Sequence, residues 1–295
     1  MNDMSDQESF SDDGEQPAGS SPGGKINWWA EIRGIALMLI AVLGFHSLVA
    51  KPFYIPSESM MPSLLVGDRL VVSKYPYGWS WVSASFHILP RSDWRFAPST
   101  PEYGDIVIAV PPDRAEDYIK RVVALPGDRI ALQNGQIILN GKPVPQAAEP
   151  PIRIPVDANV PCDWNTYGDA RVRLESGQVV CELPTYRETL PNGATYPIID
   201  HIPQSRDNME EILVPDGHVF LMGDNRDHSA DSRAPTFEKG LGGPVPLSSV
   251  GGRAEFITFS LDGTFGWNPL TWLGAFRSGR AFTSLRPPVM EQGAE

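Results

Sequence analysis

Hydrophobic and polar positions divide the chain into one apolar helix near its start and a longer body of short strands. The segment from Gly34 to Ala50, GIALMLIAVLGFHSLVA, is almost entirely apolar. Its length is at the short end of the roughly 17 to 25 residues that span a bilayer, and flanking aromatic residues, which favour membrane interfaces, lengthen it. The pattern predicts a transmembrane anchor over residues 28–50. The flanking aromatic residues are Trp28, Trp29, Phe53 and Tyr54.

An apolar segment of this kind is also typical of a buried core helix or a cleaved signal peptide. A signal peptide begins with basic residues and ends with small residues at the first and third positions before the cut. Here the preceding sequence is acidic, and Leu48 stands before Ala50. We therefore expect an uncleaved anchor.

Beyond the anchor, β-branched runs bounded by Gly, Pro and Asp predict an antiparallel β body, and no long helical periodicity appears there. Asn-Gly pairs at 134–135 and 140–141 are strong signals for tight hairpin turns. The chain is therefore predicted to be mainly β. The predicted strands are 68–72, 105–110, 119–125, 130–139 and 218–222.

Between about 143 and 215 the sequence becomes rich in proline and scattered polar residues, which predicts an insertion within the β body. This stretch contains both cysteines of the chain, Cys162 and Cys181. The two cysteines could form a disulfide, which an oxidising compartment would favour, or remain separate thiols, and the sequence leaves both interpretations open. A metal site is not expected, because no CxxC pair or histidine cluster accompanies the cysteines.

The formal net charge of -12 argues against a nucleic-acid partner, because phosphate binding needs clustered Lys and Arg. Residues 1–24 carry acidic residues and no base, with Ser, Gly and Pro filling most of the rest, so we expect a disordered tail. Two basic residues precede the apolar helix and one follows it, which slightly favours a cytoplasmic amino terminus and an exported body. The three are Lys25, Arg33 and Lys51.

Candidate catalytic chemistry comes from serine and lysine rather than histidine. No histidine accompanies a G-x-S-x-G elbow or a metal-ligand spacing. A buried lysine can replace histidine as a base, because burial disfavours the charged ammonium and lowers its pKa. Lys120 lies on a predicted strand, where alternation directs its side chain away from that of Arg121. Taken by itself, Lys120 is more typical of an ordinary strand lysine.

Ser59 lies in a restricted peptide between Pro56 and Pro62. If this peptide bends back, the Ser57 hydroxyl and the Ser59 N–H would both point at a substrate carbonyl oxygen, as an oxyanion hole requires. The same serines are also typical of turn residues after a membrane helix. Residue types alone leave both interpretations open.

Four segments in this order, behind a single membrane segment, resemble the motifs of one family. They are similar to those of bacterial type I signal peptidases, also called leader peptidases, which are membrane-bound Ser/Lys endopeptidases that remove leader peptides from exported proteins. The resemblance extends from the anchor to about Glu255. The segments are Ile55–Gly78, Tyr103–Ile108, Tyr118–Asp128 and Gly223–Arg233.

The resemblance implies that Ser59 is the nucleophile and Lys120 the general base. It implies that the Ser57 hydroxyl and the Ser59 amide form the oxyanion hole, that Ser229 orients the lysine, and that no cofactor or metal takes part. Shallow apolar pockets would select small side chains and hence Ala-X-Ala sites, with the extended substrate paired to an open strand edge. The implied pocket residues are Phe53, Ile55, Pro56, Met60, Tyr118 and Ile119. The implied supporting residues are Asp224, Asn225, Arg226, Asp231 and Arg233, of which Asp231 and Arg233 would form an ion pair.

The resemblance also implies a place in the cell. We expect a single-pass protein of the bacterial inner (cytoplasmic) membrane that acts on signal peptides of exported preproteins near the secretion translocon. The catalytic domain, 51–286, would lie on the periplasmic or extracytoplasmic side, with a short tail at 287–295. The aromatic stretch 79–96 would contact the lipid bilayer or pack in the core, and both remain open.

Two other functions are weighed against this one. A related Ser/Lys peptidase would process a narrow set of secreted, pilin or conjugation proteins, and a self-cleaving repressor would need a DNA-binding module. An inactive membrane-tethered scaffold would be expected to lack Ser59 or Lys120, and both are present.

The chain departs from the family pattern at Glu58, at His228 and in the spacing of its two cysteines. Glu58 stands between the two serines, where a small residue is common, and we expect its carboxylate to face solvent. His228 replaces a frequent Asn, and we expect a polar loop residue rather than a second base. The spacing of Cys162 and Cys181 is wider than the family suggests.

Overall fold

The computed structural model describes residues 27–266 and 269–290, an apolar helix followed by antiparallel sheets. Helix α1 (Trp28–Leu48) has no buried residue and is long and apolar enough to cross a membrane. The chain then enters strand β1 at Ala50, so α1 ends two residues before the predicted end of the anchor at 50. The predicted disordered tail, 1–24, lies outside the described residues.

The strands confirm the predicted mainly β, antiparallel body. The predicted strands are found within one residue at each end, and the predicted Asn-Gly turn divides 130–139 into a hairpin of two strands. In chain order the strands are β1 (Ala50–Tyr54), β2 (Asp68–Ser73), β3 (Trp79–Ser80), β4 (Arg95–Phe96), β5 (Ile106–Ala109), β6 (Tyr118–Ala124), β7 (Arg129–Gln133), β8 (Gln136–Leu139), β9 (Lys142–Pro143), β10 (Gln146–Pro155), β11 (Arg171–Arg173), β12 (Val179–Thr189), β13 (Thr195–Ile198), β14 (Met209–Leu213), β15 (His218–Met222), β16 (Val245–Pro246) and β17 (Val250–Ser260).

The largest sheet has the strand order β1-β2-β17-β5-β6-β15-β16. Both faces of its central strands are covered, so β5 is buried along its whole length and β6 is buried from Ile119 to Ala124. Strands buried on both faces read as continuous apolar runs, which is why Lys120 and Arg121 are unusual in β6.

Turn chemistry explains the hairpins of the second sheet, β14-β7-β8-β9. Asn134 and Gly135 join β7 to β8 with φ of 49° and 82°, the left-handed values that a type I′ turn requires. Asn140 and Gly141, which join β8 to β9, have φ of 52° and 75°. Both Asn-Gly signals are therefore confirmed as turns.

Most of the predicted insertion, 143–215, forms a third sheet of β10, β11, β12 and β13. Its last strand, β14, instead pairs with β7. A short helix, α2 (Trp164–Tyr167), lies in a loop that the Cys162–Cys181 disulfide closes. Both cysteines pack in one buried cluster with Met61, which follows the serine motif.

Residues 287–290, the first part of the predicted tail 287–295, are hydrogen-bonded to the body. Pro288 O accepts a hydrogen bond of 2.9 Å from Thr195 N, and Met290 N donates one of 2.9 Å to Gly193 O. These contacts fasten 287–290 to the β13 hairpin, and residues 291–295 lie outside the described part of the chain.

A buried ion pair connects the third sheet to the last sequence motif. Glu188 of β12 accepts from both terminal nitrogens of Arg226, with Nη1 2.7 Å from Oε1. Tyr196 and Gln146 also donate to this carboxylate, each at 2.9 Å. Burial alone raises the pKa of Glu188, but the Arg226 charge outweighs it and the net pKa is lowered. Glu188 therefore stays ionised.

Removing the charge of Glu188 is predicted to destabilise the fold strongly. Glu188→Gln leaves the Arg226 guanidinium buried without a counter-charge, which should lower the free energy of unfolding by about 3 to 5 kcal/mol. The control is Glu149→Gln on the same sheet, because the Glu149–Arg187 pair is partly exposed and should contribute less than about 1 kcal/mol. Denaturant titrations in detergent measure both, and equal losses would contradict the prediction.

Candidate active site

The loop between β1 and β2 brings Ser59 into contact with Lys120 of β6. Ser59 lies between β1 and β2, and Lys120 lies on β6. Lys120 Nζ is 2.8 Å from Ser59 Oγ and donates to Ile119 O at 2.9 Å. Both side chains are buried, with exposed fractions of 6% for Ser59 and 4% for Lys120.

Strand alternation separates Lys120 from the next cation. Arg121 donates to both carboxylate oxygens of Asp224, at 2.7 and 2.6 Å, and to Gly104 O at 2.7 Å. This bidentate pair neutralises a buried carboxylate on the far side of β6 from the serine.

Burial lowers the pKa of Lys120 to about 8. The carboxylates of Asp231 and Asp224 raise this pKa, and the Arg233 guanidinium lowers it. Each of these acids has its own arginine, since Asp231 pairs with Arg233 at 2.9 Å and Asp224 with Arg121. The amine is thus desolvated without a free counter-charge, which favours its neutral form.

The last motif packs directly against the serine peptide. Asn225 N donates to Ser59 O at 3.2 Å. A Cβ at Gly223 would lie 2.4 Å from Ser59 O and 2.3 Å from Ser229 Oγ, so only glycine allows this approach. Asp231 receives Gly223 N at 2.9 Å, which links the acid to the same turn.

Ser229 and Ser57 lie near the dyad. Ser229 Oγ is buried and makes no hydrogen bond to Lys120 in the part of the chain that the structure describes, so its orienting role stays a prediction. Ser57 is exposed, and its Oγ lies 3.4 Å from Ser59 Oγ.

A cleft of about 330 Å³ opens beside the dyad. Five of the six predicted pocket residues line it, and Met60 does not. Met60 follows Ser59 into the turn and is fully buried in the core with Leu64 and Leu70, so it cannot contact a peptide in the cleft. The lining residues that were predicted are Phe53, Ile55, Pro56, Tyr118 and Ile119.

Two strand edges beside this cleft lack a strand partner among the residues that the structure describes. Strand β1 is the terminal strand of its sheet and pairs only on the β2 side. Strand β6 pairs with β15 only from Arg121 to Ala124. Tyr118, Ile119 and Lys120 therefore have no strand partner on that side within the described ranges.

The expectation that Glu58 faces solvent is wrong. Its Oε2 accepts a hydrogen bond of 2.7 Å from Tyr167 OH, and the residue is only partly exposed. Asn225 Nδ2 donates to Glu58 O at 3.2 Å and lies 3.3 Å from Tyr167 OH. The Glu58 carboxylate turns inward because the insertion brings the Tyr167 hydroxyl, a hydrogen-bond donor, within reach of it.

His228 lines the cleft, with its ring edge-on to Tyr167 at 5.0 Å between centroids. Burial lowers its pKa, so it is neutral near pH 7. Its ring has no hydrogen bond to Ser59 or Lys120 among the residues described.

Sequence reasoning missed Tyr167 and Glu188. Buried positions on β12 alternate through Cys181, Leu183 and Thr185, which would place 187 rather than 188 inside, so alternation gives no signal for Glu188. Tyr167 has only its place between the two cysteines as a signal. No group of three or more His, Cys, Asp or Glu in 27–266 and 269–290 is arranged to hold a metal.

The chain has extensive similarity to known proteins. A family model described as signal peptidase, peptidase S26, matches residues 27–259. The signal peptidase I of Rickettsia typhi is 32% identical over 274 residues, covering 86% of this chain and 93% of that protein. The signal peptidase I of Rickettsia akari is 32% identical over 280 residues, covering 88% and 93%.

Among solved structures, a signal peptidase I from Enterococcus faecalis V583 is 20% identical, with a TM-score of 0.27, and covers 52% of this chain and 97% of that one. The family match and the curated relatives both extend over most of this chain. The chain therefore belongs to the signal peptidase family, peptidase S26, and is a serine peptidase.

Proposed function

We propose that this peptidase removes signal peptides from exported preproteins, with Ser59 as nucleophile and Lys120 as general base. The observation that carries the proposal is the 2.8 Å contact between Lys120 Nζ and Ser59 Oγ in a buried cleft. A base must lie within hydrogen-bond reach of the proton that it removes, and its pKa should lie near the working pH. Lys120 fulfils both conditions, with a pKa of about 8.

In the proposed mechanism, neutral Lys120 takes the Ser59 proton as Oγ attacks the scissile carbonyl. The C–N bond then breaks, and the Lys120 ammonium returns the proton to the leaving amine. Water then attacks the acyl-enzyme ester while Lys120 takes a proton from it. The bond between the acyl carbon and Ser59 Oγ breaks, and the Lys120 ammonium returns the proton to Oγ, which regenerates Ser59 and releases the acid. The Ser59 N–H and the Ser57 hydroxyl would donate to the oxyanion, which the closeness of Ser57 Oγ to Ser59 Oγ supports.

The cleft favours an extended peptide with small side chains next to the cleaved bond. A peptide strand can pair with the free edge at Tyr118–Lys120, while apolar walls of limited size admit Ala and exclude bulk. We therefore propose cleavage after Ala-X-Ala-type sites. Processing of a narrow set of secreted, pilin or conjugation proteins would show as cleavage of one precursor class alone.

We propose that α1 anchors the chain once in the bacterial inner (cytoplasmic) membrane, with the body on the extracytoplasmic side near the secretion translocon. The length and apolar composition of α1 support the anchor. The Cys162–Cys181 disulfide supports an oxidising compartment.

We also propose that part of the aromatic stretch 79–96 touches lipid. Trp81 is buried, with 5% exposure, and Trp79 is half-buried, so these two do not form the contact. Exposed apolar side chains on a membrane protein's body are typical of a lipid contact. They are Phe86, Ile88, Trp94 and Phe96, with 82%, 76%, 61% and 60% exposure.

Substitution of either member of the dyad is predicted to abolish cleavage. Ser59→Ala removes the nucleophile and Lys120→Met removes the base while keeping a long side chain, so each should lower kcat by about 10³-fold or more. The control is Lys142→Met, which changes an exposed lysine of β9 outside the cleft. Cleavage of several unrelated preproteins in detergent, with the cut located by mass spectrometry, is the measurement. Cutting by either dyad variant would refute these assignments.

Cleavage is predicted to depend on pH through Lys120. The amine is protonated and inactive below its pKa of about 8, so kcat/KM should fall about tenfold per pH unit below pH 8 and level off above it. A profile of kcat/KM from pH 6 to 10 on one preprotein tests this. A flat profile would be incompatible with a lysine base.

Removal of exposed apolar side chains is predicted to weaken membrane binding. A body beginning at residue 49 and carrying Phe86→Ser and Ile88→Ser should bind lipid vesicles several-fold less than the unsubstituted body, because less apolar surface enters the lipid. Phe282→Ser, at a residue that is 80% exposed elsewhere, is the control. Vesicle sedimentation measures binding, and unchanged binding of the double variant would refute the contact.

A further inference from the structure

Glu58 places a carboxylate next to the residue proposed as nucleophile. A negative charge near a lysine favours the ammonium and raises its pKa. A lysine that acts as a neutral base therefore needs this carboxylate to be directed elsewhere. The groups that affect the Lys120 pKa most strongly, apart from burial, are Asp231, Asp224 and Arg233.

The insertion supplies the group that holds Glu58. Tyr167 is 4% exposed, and its hydroxyl donates to Glu58 Oε2 at 2.7 Å. Burial, followed by the Glu58 carboxylate, raises the pKa of this phenol, so it remains a donor at any working pH. The hydrogen bond therefore persists throughout the pH range in which Lys120 loses its proton.

The same contact fixes the peptide that leads into Ser59. Asn225 Nδ2 reaches Glu58 O at 3.2 Å and Tyr167 OH at 3.3 Å, while Asn225 N reaches Ser59 O at 3.2 Å. The carbonyls on both sides of the Ser59 N–H are thus hydrogen-bonded to one residue, and Tyr167 braces that residue. An N–H aimed at an oxyanion needs such preorganisation.

The disulfide ties Tyr167 to this place. Tyr167 ends α2 inside the loop closed by Cys162 and Cys181. Both cysteines and the tyrosine pack in one buried cluster with Met61, two residues beyond Ser59. A loop fastened at its base and packed against the serine peptide can hold its phenol in one position.

We propose that Tyr167 is a positioning residue: it holds the Glu58 carboxylate away from Lys120 and fixes the peptide that carries the Ser59 N–H. The disulfide-closed loop of the insertion thereby becomes part of the catalytic apparatus. This inference rests on the proposed Ser59/Lys120 function and adds to it a control of the Lys120 pKa by a residue of the insertion, Tyr167.

Other titratable groups around Glu58 are not expected to change their protonation in the pH range in which Lys120 titrates. His228 faces Tyr167 and is neutral near pH 7, because burial lowers its pKa. Asp227 pairs with His201. Burial raises the pKa of Asp227, but the hydrogen bonds and charge of His201 lower it by more, so that Asp227 stays ionised. Among these groups, Lys120 is therefore the one expected to titrate above pH 7. Lys74 also has a pKa lowered to about 8, but burial, Lys51 and Asp117 shift it, and Glu58 does not.

Tyr167→Phe tests the proposal because it keeps the ring and removes only the hydroxyl. Glu58 is then released to approach Lys120 and raises its pKa. The acid limb of the profile, which is the fall of kcat/KM below the Lys120 pKa, should therefore move to higher pH by about one unit. A lower kcat with little change in KM should accompany the shift. The shift should disappear in Tyr167→Phe combined with Glu58→Gln, because no carboxylate remains to be released.

The matched control is Tyr186→Phe, a half-buried tyrosine of the same insertion that packs in a different core. A purely structural role for Tyr167 would lower activity at every pH without moving the limb. Coincident profiles for wild type and Tyr167→Phe, or a shift that survives Glu58→Gln, would overturn the proposal.

A second variant covers the case in which Tyr167→Phe does not fold. Replacing Cys162 and Cys181 with Ala frees the loop and should move the limb in the same direction, again only when Glu58 is present. An unmoved limb would equally overturn the proposal. Loss of activity in Ser59→Ala and Lys120→Met is measured alongside; if those variants still cleave, the proposed function itself fails, whatever Tyr167→Phe does.

Discussion

Burial of the Lys120 amine is the constraint on which the arrangement of the body depends. An ammonium taken out of water is strongly disfavoured unless it is paired, and the carboxylates of Asp231 and Asp224 act on the Lys120 pKa by raising it. Each of these carboxylates is already satisfied by an arginine, Asp224 by Arg121 and Asp231 by Arg233. The charges around the amine therefore cancel, and desolvation prevails in lowering its pKa. Those ion pairs serve the electrostatics of the lysine as much as the stability of the fold.

The sequence predicted the fold class, the hairpins and the apolar helix because each depends on local signals. Alternation, β-branched runs and Asn-Gly pairs are read within a few residues, and all the predicted strands are found. Ser59 and Lys120 were identified through motif resemblance. Local pattern alone could not separate Lys120 from Lys74, which is also buried with a pKa lowered to about 8. What distinguishes Lys120 is its contact with a serine far away in the chain.

The interactions that sequence reasoning missed are all made between distant segments. Glu188 meets Arg226 and Tyr167 meets Glu58 only because the insertion folds back on the catalytic motifs. Met60 was misplaced for a related reason, since its motif position suggests a pocket while the turn directs it into the core. Local sequence patterns do not indicate which residue of a distant loop will contact the site.

The short free edge of β6 also affects how copies of this protein meet one another. An unpaired strand edge is a template on which another chain can add a strand, and long, flat edges lead to aggregation. Here the unpaired part extends only over Tyr118, Ile119 and Lys120, and all three line a cleft. A flexible peptide can enter this cleft, whereas the edge of a folded sheet, carried on a rigid body, is too bulky to follow. The short edge of β6 is thus accessible to an extended peptide but not to the edge of another folded sheet.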